Sequence, residues 1–153
     1  YQIYVREARR MVSEVVLTEH HLTGAVISDH PISVGTYGAD IHEIQRIAYN
    51  HMIVREGKQP AHIRTIPYGI DYAAVVPSAD ECTNLFVTFA LSASHVAFGS
   101  VRMEPTFMMT SQSAATAAVF ALDHQTNVQG VEYDQLRKRL LADGQILSLA
   151  HRE

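Results

Sequence analysis

Apolar and polar positions fall into short runs over the first ninety or so residues and into helical spacing after them. The opening Tyr1-Gln2-Ile3-Tyr4-Val5 has the alternation of an amphipathic strand over residues 2–5. Val12 to Thr18 is rich in β-branched side chains, which suit a pleated surface, and predicts a strand over residues 14–18. Thr18-Glu19-His20-His21 predicts a turn or a short helix, and AVIS at 25–28 a further short strand. The stretch DHPISVGTYGAD at 29–40 carries a Pro and two Gly and reads mostly as loop. Two patterns compete after it. Ile41, Ile44, Ile47 and Ala48 have helical spacing, yet Ile and Tyr also favour strands; Gly57 and Pro60 end the segment either way. Tyr72 to Val76 predicts an apolar strand closed by Pro77, and Ser78 to Asn84 a polar turn.

Leu85 to Leu91 is apolar throughout except for Thr88. Such a run suits a strand covered on both faces, as in a parallel sheet. A helix is expected from Pro105, a residue favoured in the first turn, to Asp123, with Ala114, Ala115, Ala117, Ala118 and Ala121 forming a face without bulk. For Ala117, Ala118 and Ala121, tight packing on a sheet is a sufficient reason. Asn127 to Val131 reads as a linker, and Asp134 to Asp143 as a last helix stopped by Gly144.

Composition narrows the function. The 153 residues suffice for one domain with a real core; 47% are hydrophobic and 18% charged, which argues against disorder. A net charge of −4 without a basic run disfavours nucleic acid as a partner, because phosphates need clustered cations. No apolar run reaches the roughly 20 residues of a membrane span. The single Cys82 excludes an internal disulfide, and none of the nine histidines forms HxH, HxxxH or HExxH, so no metal site is expected.

The chemistry candidates gather where the apolar run ends. Ser92-Ala93-Ser94-His95 and Gly99-Ser100-Val101-Arg102 make a polar junction between the expected strand and the small-faced helix. Open α/β sheets bind ligands at the carboxyl ends of their strands. Free N–H groups and the helix dipole at a helix start favour an anion or a carbonyl oxygen. Gly99 permits close backbone approach and Arg102 adds fixed charge. His95 is either a structural histidine or an acid–base group. Ser92, Ser94 and Ser100 lie near it in sequence, but no G-x-S-x-G elbow is present. Arg6, Arg9 and Arg10 could bind a carboxylate or phosphate; ion pairing with Glu7 and Glu14 explains at least two of them as well.

NLFVTFALSASHVAFGSVRMEPTFMMTSQSAATAA resembles the C-terminal flavin-contacting segment of bacterial FAD-dependent oxidoreductases, a group sometimes labelled xanthan lyase. Three further segments resemble the same family in the same order: YVREARRMVSEVVLTEHHL, VGTYGADIHEIQRIA and IPYGIDYAAVVPSADECTNLFV. The likeness extends over roughly residues 1–147. It implies an α/β protein (α+β for this chain by itself). Residues 1–76 would be part of a β-rich substrate or covering domain. Residues 77–153 would be the C-terminal strand and helix of a Rossmann-like FAD domain. The family's G-x-G-x-x-G is absent from the chain, which therefore reads as the C-terminal portion of such an enzyme, with the N-terminal ADP-binding half as its missing partner. Tight FAD binding by this portion is not expected.

Carried over by position, Ser94, His95, Gly99, Ser100, Val101, Arg102 and Met103 would line the isoalloxazine end of FAD. Backbone N–H groups near Val101 to Met103 would face the flavin's pyrimidine carbonyl. His95, His42 and Arg10 are the implied catalytic residues, the last two facing a small-molecule substrate. Departures are visible: Ser111-Gln112-Ser113-Ala114-Ala115 stands where many relatives have Gly-Gln-x-Ala-Gly, Ser13 where they have Gly, and Glu14-Val15 where they have Glu-Tyr. The competing readings are a non-catalytic binding or structural module of the same fold, and a polysaccharide lyase-associated domain. The lack of Trp weighs against the lyase, whose cleft would need exposed aromatics. An oligomer is compatible with all of these.

Overall fold

The structure, a computed structural model, describes residues 9–41, 43, 45–57 and 63–149. The strand expected at 2–5 lies outside the described residues. The elements run α1 (Glu19–Thr23), β1 (Pro31–Gly35), β2 (Gln45–Tyr49), β3 (Met52–Glu56), β4 (Tyr68–Asp71), a 3-10 turn (Tyr72–Val75), α2 (His95–Val101), α3 (Glu104–Asp123), a second 3-10 turn (Val128–Gly130) and α4 (Tyr133–Ala142). Helices and two small antiparallel sheets make it α+β.

Residues 29–40 are not mostly loop. Pro31 and Gly35, which suggested a break, are the first and last residues of β1. Between them Ile32, Ser33 and Val34 are buried, with β4 pairing antiparallel alongside and α3 packed against the strand. The register sets Ser33 against Ile70, Val34 against Gly69 and Gly35 against Tyr68. A Cβ on Gly35 would meet the Tyr68 ring, so this pairing needs glycine there. AVIS at 25–28 forms no strand.

The strand expected at 72–76 is displaced. The strand is β4, and Asp71 turns the chain into the 3-10 turn by accepting from Ala73 N through Oδ1 at 2.9 Å. Ser28 Oγ and His30 N donate to Asp71 Oδ2 at 2.6 and 3.1 Å, so the buried carboxylate is satisfied from three directions. Tyr72, Ala74, Val75 and Val76 belong to the core, and a short apolar run reports burial without naming the backbone that delivers it.

The ambiguous segment resolves as a hairpin. Gln45 pairs with Glu56 and Tyr49 with Met52 across a two-residue turn, Asn50-His51, at φ 47° and 60°. Positive φ at both turn residues matches the twist of a right-handed ribbon, and Asn accepts it readily.

Leu85 to Leu91 forms no strand: residues 88–90 bend, and Phe89 is 67% exposed. Its neighbours contribute single bonds rather than a ladder: Val87 N to Val75 O, Met11 N to Ala90 O, Ser92 N to Ala74 O. The expected strand at 14–18 is likewise reduced to one parallel bridge, Leu17 with Ala93. The burial on both faces that the apolar run implies is absent here.

The C-terminal helices match expectation within about a residue. α3 starts at Glu104 with Pro105 in its first turn and buries Ala114, Ala117 and Ala121, while Ala115 is exposed. α4 ends at Ala142 with Gly144 at φ 81°. The helix at 95–101 was not expected. It gathers Ala97, Phe98 and Val101 into a core that also holds Leu17, Leu22, Ile70, Val75, Leu91, Leu136, Leu140 and Leu147.

Candidate functional site

The junction after the apolar run is a capped helix. Leu17 N donates to Ser92 O at 3.0 Å and Ser94 N to Leu17 O at 2.7 Å, which fixes the backbone just ahead of α2. Ser94 Oγ then accepts from Ala97 N at 3.2 Å as the N-cap. His95 is the first helical residue and is half-buried.

Arg10, remote in sequence, arrives at the same place. Its Nε donates to Ala93 O at 2.9 Å, and its guanidinium lies 5.0 Å from the centroid of the Phe98 ring. Arg10 thus brings a permanent positive charge against the first turn and a half of α2, held partly by the face of an aromatic ring. Of the three expected catalytic residues, Arg10 therefore reaches the helix that His95 opens. The third, His42, lies outside the described residues.

The residues expected to line a cofactor divide into two groups. Ser94 and Met103 are half-buried at the two ends of α2. Gly99, Ser100 and Val101 are buried within it and meet groups of this same chain. A Cβ on Gly99 would stand 2.6 Å from Ile41 Cγ1 and 3.2 Å from Asp40 O, and Asp40 N donates to Gly99 O at 3.2 Å. Ser100 Oγ lies 2.7 Å from the Tyr68 hydroxyl and donates to Tyr37 O. Arg102 Nη2 binds Asp40 O at 3.0 Å and Asp40 Oδ2 at 3.2 Å. The N–H groups of Arg102 and Met103 donate to Phe98 O and Val101 O.

One side of α2 is thus bolted to the 37–41 loop. Sequence reasoning missed Tyr68 and Phe98 in this arrangement, since nothing local marks a strand tyrosine as the partner of a helical serine. Asp40 is marked only by its place in VGTYGADIHEIQRIA, a segment that carries the family likeness. Burial pushes the Tyr68 phenol up to about 12, with the Ser100 hydrogen bond pulling weakly the other way.

The donor set can be weighed against a flavin edge, which presents carbonyl and ring-nitrogen acceptors. Arg10, Ser94 and His95 are at least partly accessible and lie around the start of α2, whereas Met103 at its far end has its N–H on Val101 O and brings no donor. The Gly99 cradle is filled by Ile41 and Asp40, and the Ser100 hydroxyl is held by Tyr68 and Tyr37. The accessible group fits the role; the buried group fits that of holding the helix. Among the described residues no cluster of three or more His, Cys, Asp or Glu could hold a metal ion, and no helix is long and apolar enough to cross a membrane.

A polar junction opening a short helix, with a fixed arginine charge beside it, suits an anionic or carbonyl-bearing ligand. The family gives that ligand class a name. Residues 1–140 match the model of the FAD dependent oxidoreductase family, and the chain belongs to that family. The family is one of flavin enzymes, so FAD belongs to the intact protein. No curated protein and no solved structure matches the chain.

Proposed function

We propose that this chain is the C-terminal portion of an FAD-dependent oxidoreductase, contributing the flavin-facing junction and part of the cover over the substrate. Bound FAD would supply the chemistry, accepting a hydride from a small organic substrate. The observation that carries this reading is the meeting of Arg10 and α2, within a chain whose residues 1–140 match the family.

In this reading Arg10 stabilises negative charge on the reduced cofactor or orients a substrate carboxylate, since its guanidinium stays charged at any working pH. His95, at the start of α2, takes or gives a proton. Ser94 and Met103 stand at the edge of the ring system. Gly99, Ser100 and Arg102 hold α2 against the 37–41 loop while Val101 packs in the core, and any direct contact they make with the ring is through the helix surface they define. His42 faces the substrate from the covering part. Residues 1–76 form that part and residues 77–153 complete the FAD domain. An ADP-binding segment with G-x-G-x-x-G is supplied from elsewhere in the polypeptide.

The test is spectroscopic. A polypeptide extended to include the ADP-binding segment should purify with flavin absorbance, whereas the 153-residue chain titrated with FAD should show no complex at micromolar concentration. In the extended protein, Arg10→Gln and His95→Asn should leave flavin content intact while changing the reduction potential or the rate of flavin reduction. Tight FAD binding by the 153-residue chain, or an extended protein without flavin, would sink the proposal.

A further inference from the structure

α1 is closed at its N-terminus by a histidine where a glutamate or glutamine is the common choice. Thr18 is the N-cap, and its backbone N–H donates to His21 Nδ1 at 3.1 Å, with Thr18 Oγ1 3.2 Å from the same nitrogen. A backbone N–H can only donate, so Nδ1 must carry a lone pair and the ring must be the neutral Nε2–H tautomer. His21 is buried, with 8% of its surface exposed, and it lines a cleft of about 200 Å³ that gives water access to the ring.

The backbone beside this cap supports the candidate site. Leu17 bridges Ala93, and Ser94 N donates to Leu17 O one residue before the capped Thr18. α1 also packs against α2.

We propose that His21 is a pH-sensitive latch: neutral, it holds the Thr18 N–H and the Leu17–Thr18 backbone on which Ser94 and α2 rest; protonated, it releases them. Protonation puts a hydrogen on Nδ1 facing the Thr18 N–H, donor against donor. Thr18 Oγ1 can then accept from the ring, but the backbone N–H is left without its acceptor.

Burial favours the neutral ring and outweighs Asp71 and a Thr18 backbone hydrogen bond, both of which favour the charged one. Burial lowers the His21 pKa below its ordinary 6.5, neighbouring Asp71 at the end of β4 raises it, and His20 on the same helix lowers it. Glu19 is the other charged residue of α1, His95 is the titratable residue of α2, and Arg10 stands over Phe98 of α2. A histidine with a depressed pKa contributes stability that is complete above 6.5 and lost as pH falls towards its folded value. Across that window one proton changes the folding constant by up to about tenfold per pH unit.

The latch needs no flavin, so its test is independent of the proposed function. In the 153-residue chain, NMR should show His21 as the Nε2–H tautomer titrating below 6.5, with Thr18 amide protection lost in the same titration. His21→Gln, which can cap without titrating, should keep Thr18 protected and remove that part of the acid destabilisation. A His21 that titrates at or above 6.5 overturns the proposal. So does a Thr18 amide indifferent to the titration, or a His21→Gln variant with the wild-type stability profile against pH.

Discussion

Gly99→Ala sets two known effects against each other. Alanine in a helix interior is favoured over glycine by about 1 kcal/mol, because it restricts the unfolded chain. Here the new methyl would stand 2.6 Å from Ile41 Cγ1 and 3.2 Å from Asp40 O. Ile41 is buried and Cγ1 is the inner carbon of its longer arm, so it cannot swing aside; Asp40 O is backbone. Overpacking of this kind costs roughly 1–3 kcal/mol. Moving α2 away to relieve it would also stretch the Asp40–Gly99 and Arg102–Asp40 bonds, each contributing about 0.5–1.5 kcal/mol net. The clash should win, leaving a loss of about 1–2 kcal/mol, or a Tm lower by roughly 2–8 °C at this chain length. Urea unfolding measures it. Gly38→Ala in the adjoining loop is the control: a methyl there meets nothing within 4 Å, so the variant should be neutral or more stable by up to about 1 kcal/mol. A Gly99→Ala protein as stable as wild type would show that α2 and the 37–41 loop are not in the contact described.

Other substitutions test other parts of the fold. Leu140→Ala removes a fully buried side chain of α4 and should cost about 2–5 kcal/mol by the same assay; a loss under about 1 kcal/mol would place α4 off the core. Tyr68→Phe should cost about 0.5–1.5 kcal/mol near neutral pH through the lost bond to Ser100. Because burial raises the Tyr68 phenol from 10 to about 12, its folded form keeps a proton that the unfolded chain gives up. Stability is therefore complete below 10 and falls as pH climbs towards 12, and Tyr68→Phe should lack that alkaline component. Gly144→Ala should lose about 1 kcal/mol from left-handed strain alone, since φ is 81° and no atom lies within 4 Å of the added methyl; an unchanged midpoint would contradict the helix end.

Much of the candidate site is legible in the amino-acid sequence. The polar junction at Ser94-His95 and the family likeness are both carried by local residues. Its division of labour is not. Gly99, read as room for a ligand, is room for Ile41 and Asp40; Arg102, read as a charge for a cofactor, is engaged by Asp40. Both facts depend on a loop far upstream in the chain, and close approach looks the same in sequence whatever fills it. The 95–101 helix was missed because His, Val, Phe, Gly and Ser are indifferent helix formers, and α2 is held by Ser94 capping and core burial.

What the sequence determined by itself is where local chemistry is sufficient. Pro105 and Gly144 mark helix ends through backbone sterics, the alanines of α3 mark a face that can pack closely, and four ordered segments mark the family. Only tertiary structure decided the rest. It made β1 from a loop-like stretch by burying Ile32, Ser33 and Val34, and left Leu85 to Leu91 without a ladder. It also carried Arg10 over 83 residues to Ala93. A strand needs partners and a guanidinium needs an acceptor; neither requirement is satisfied, or visible, within the segment that states it.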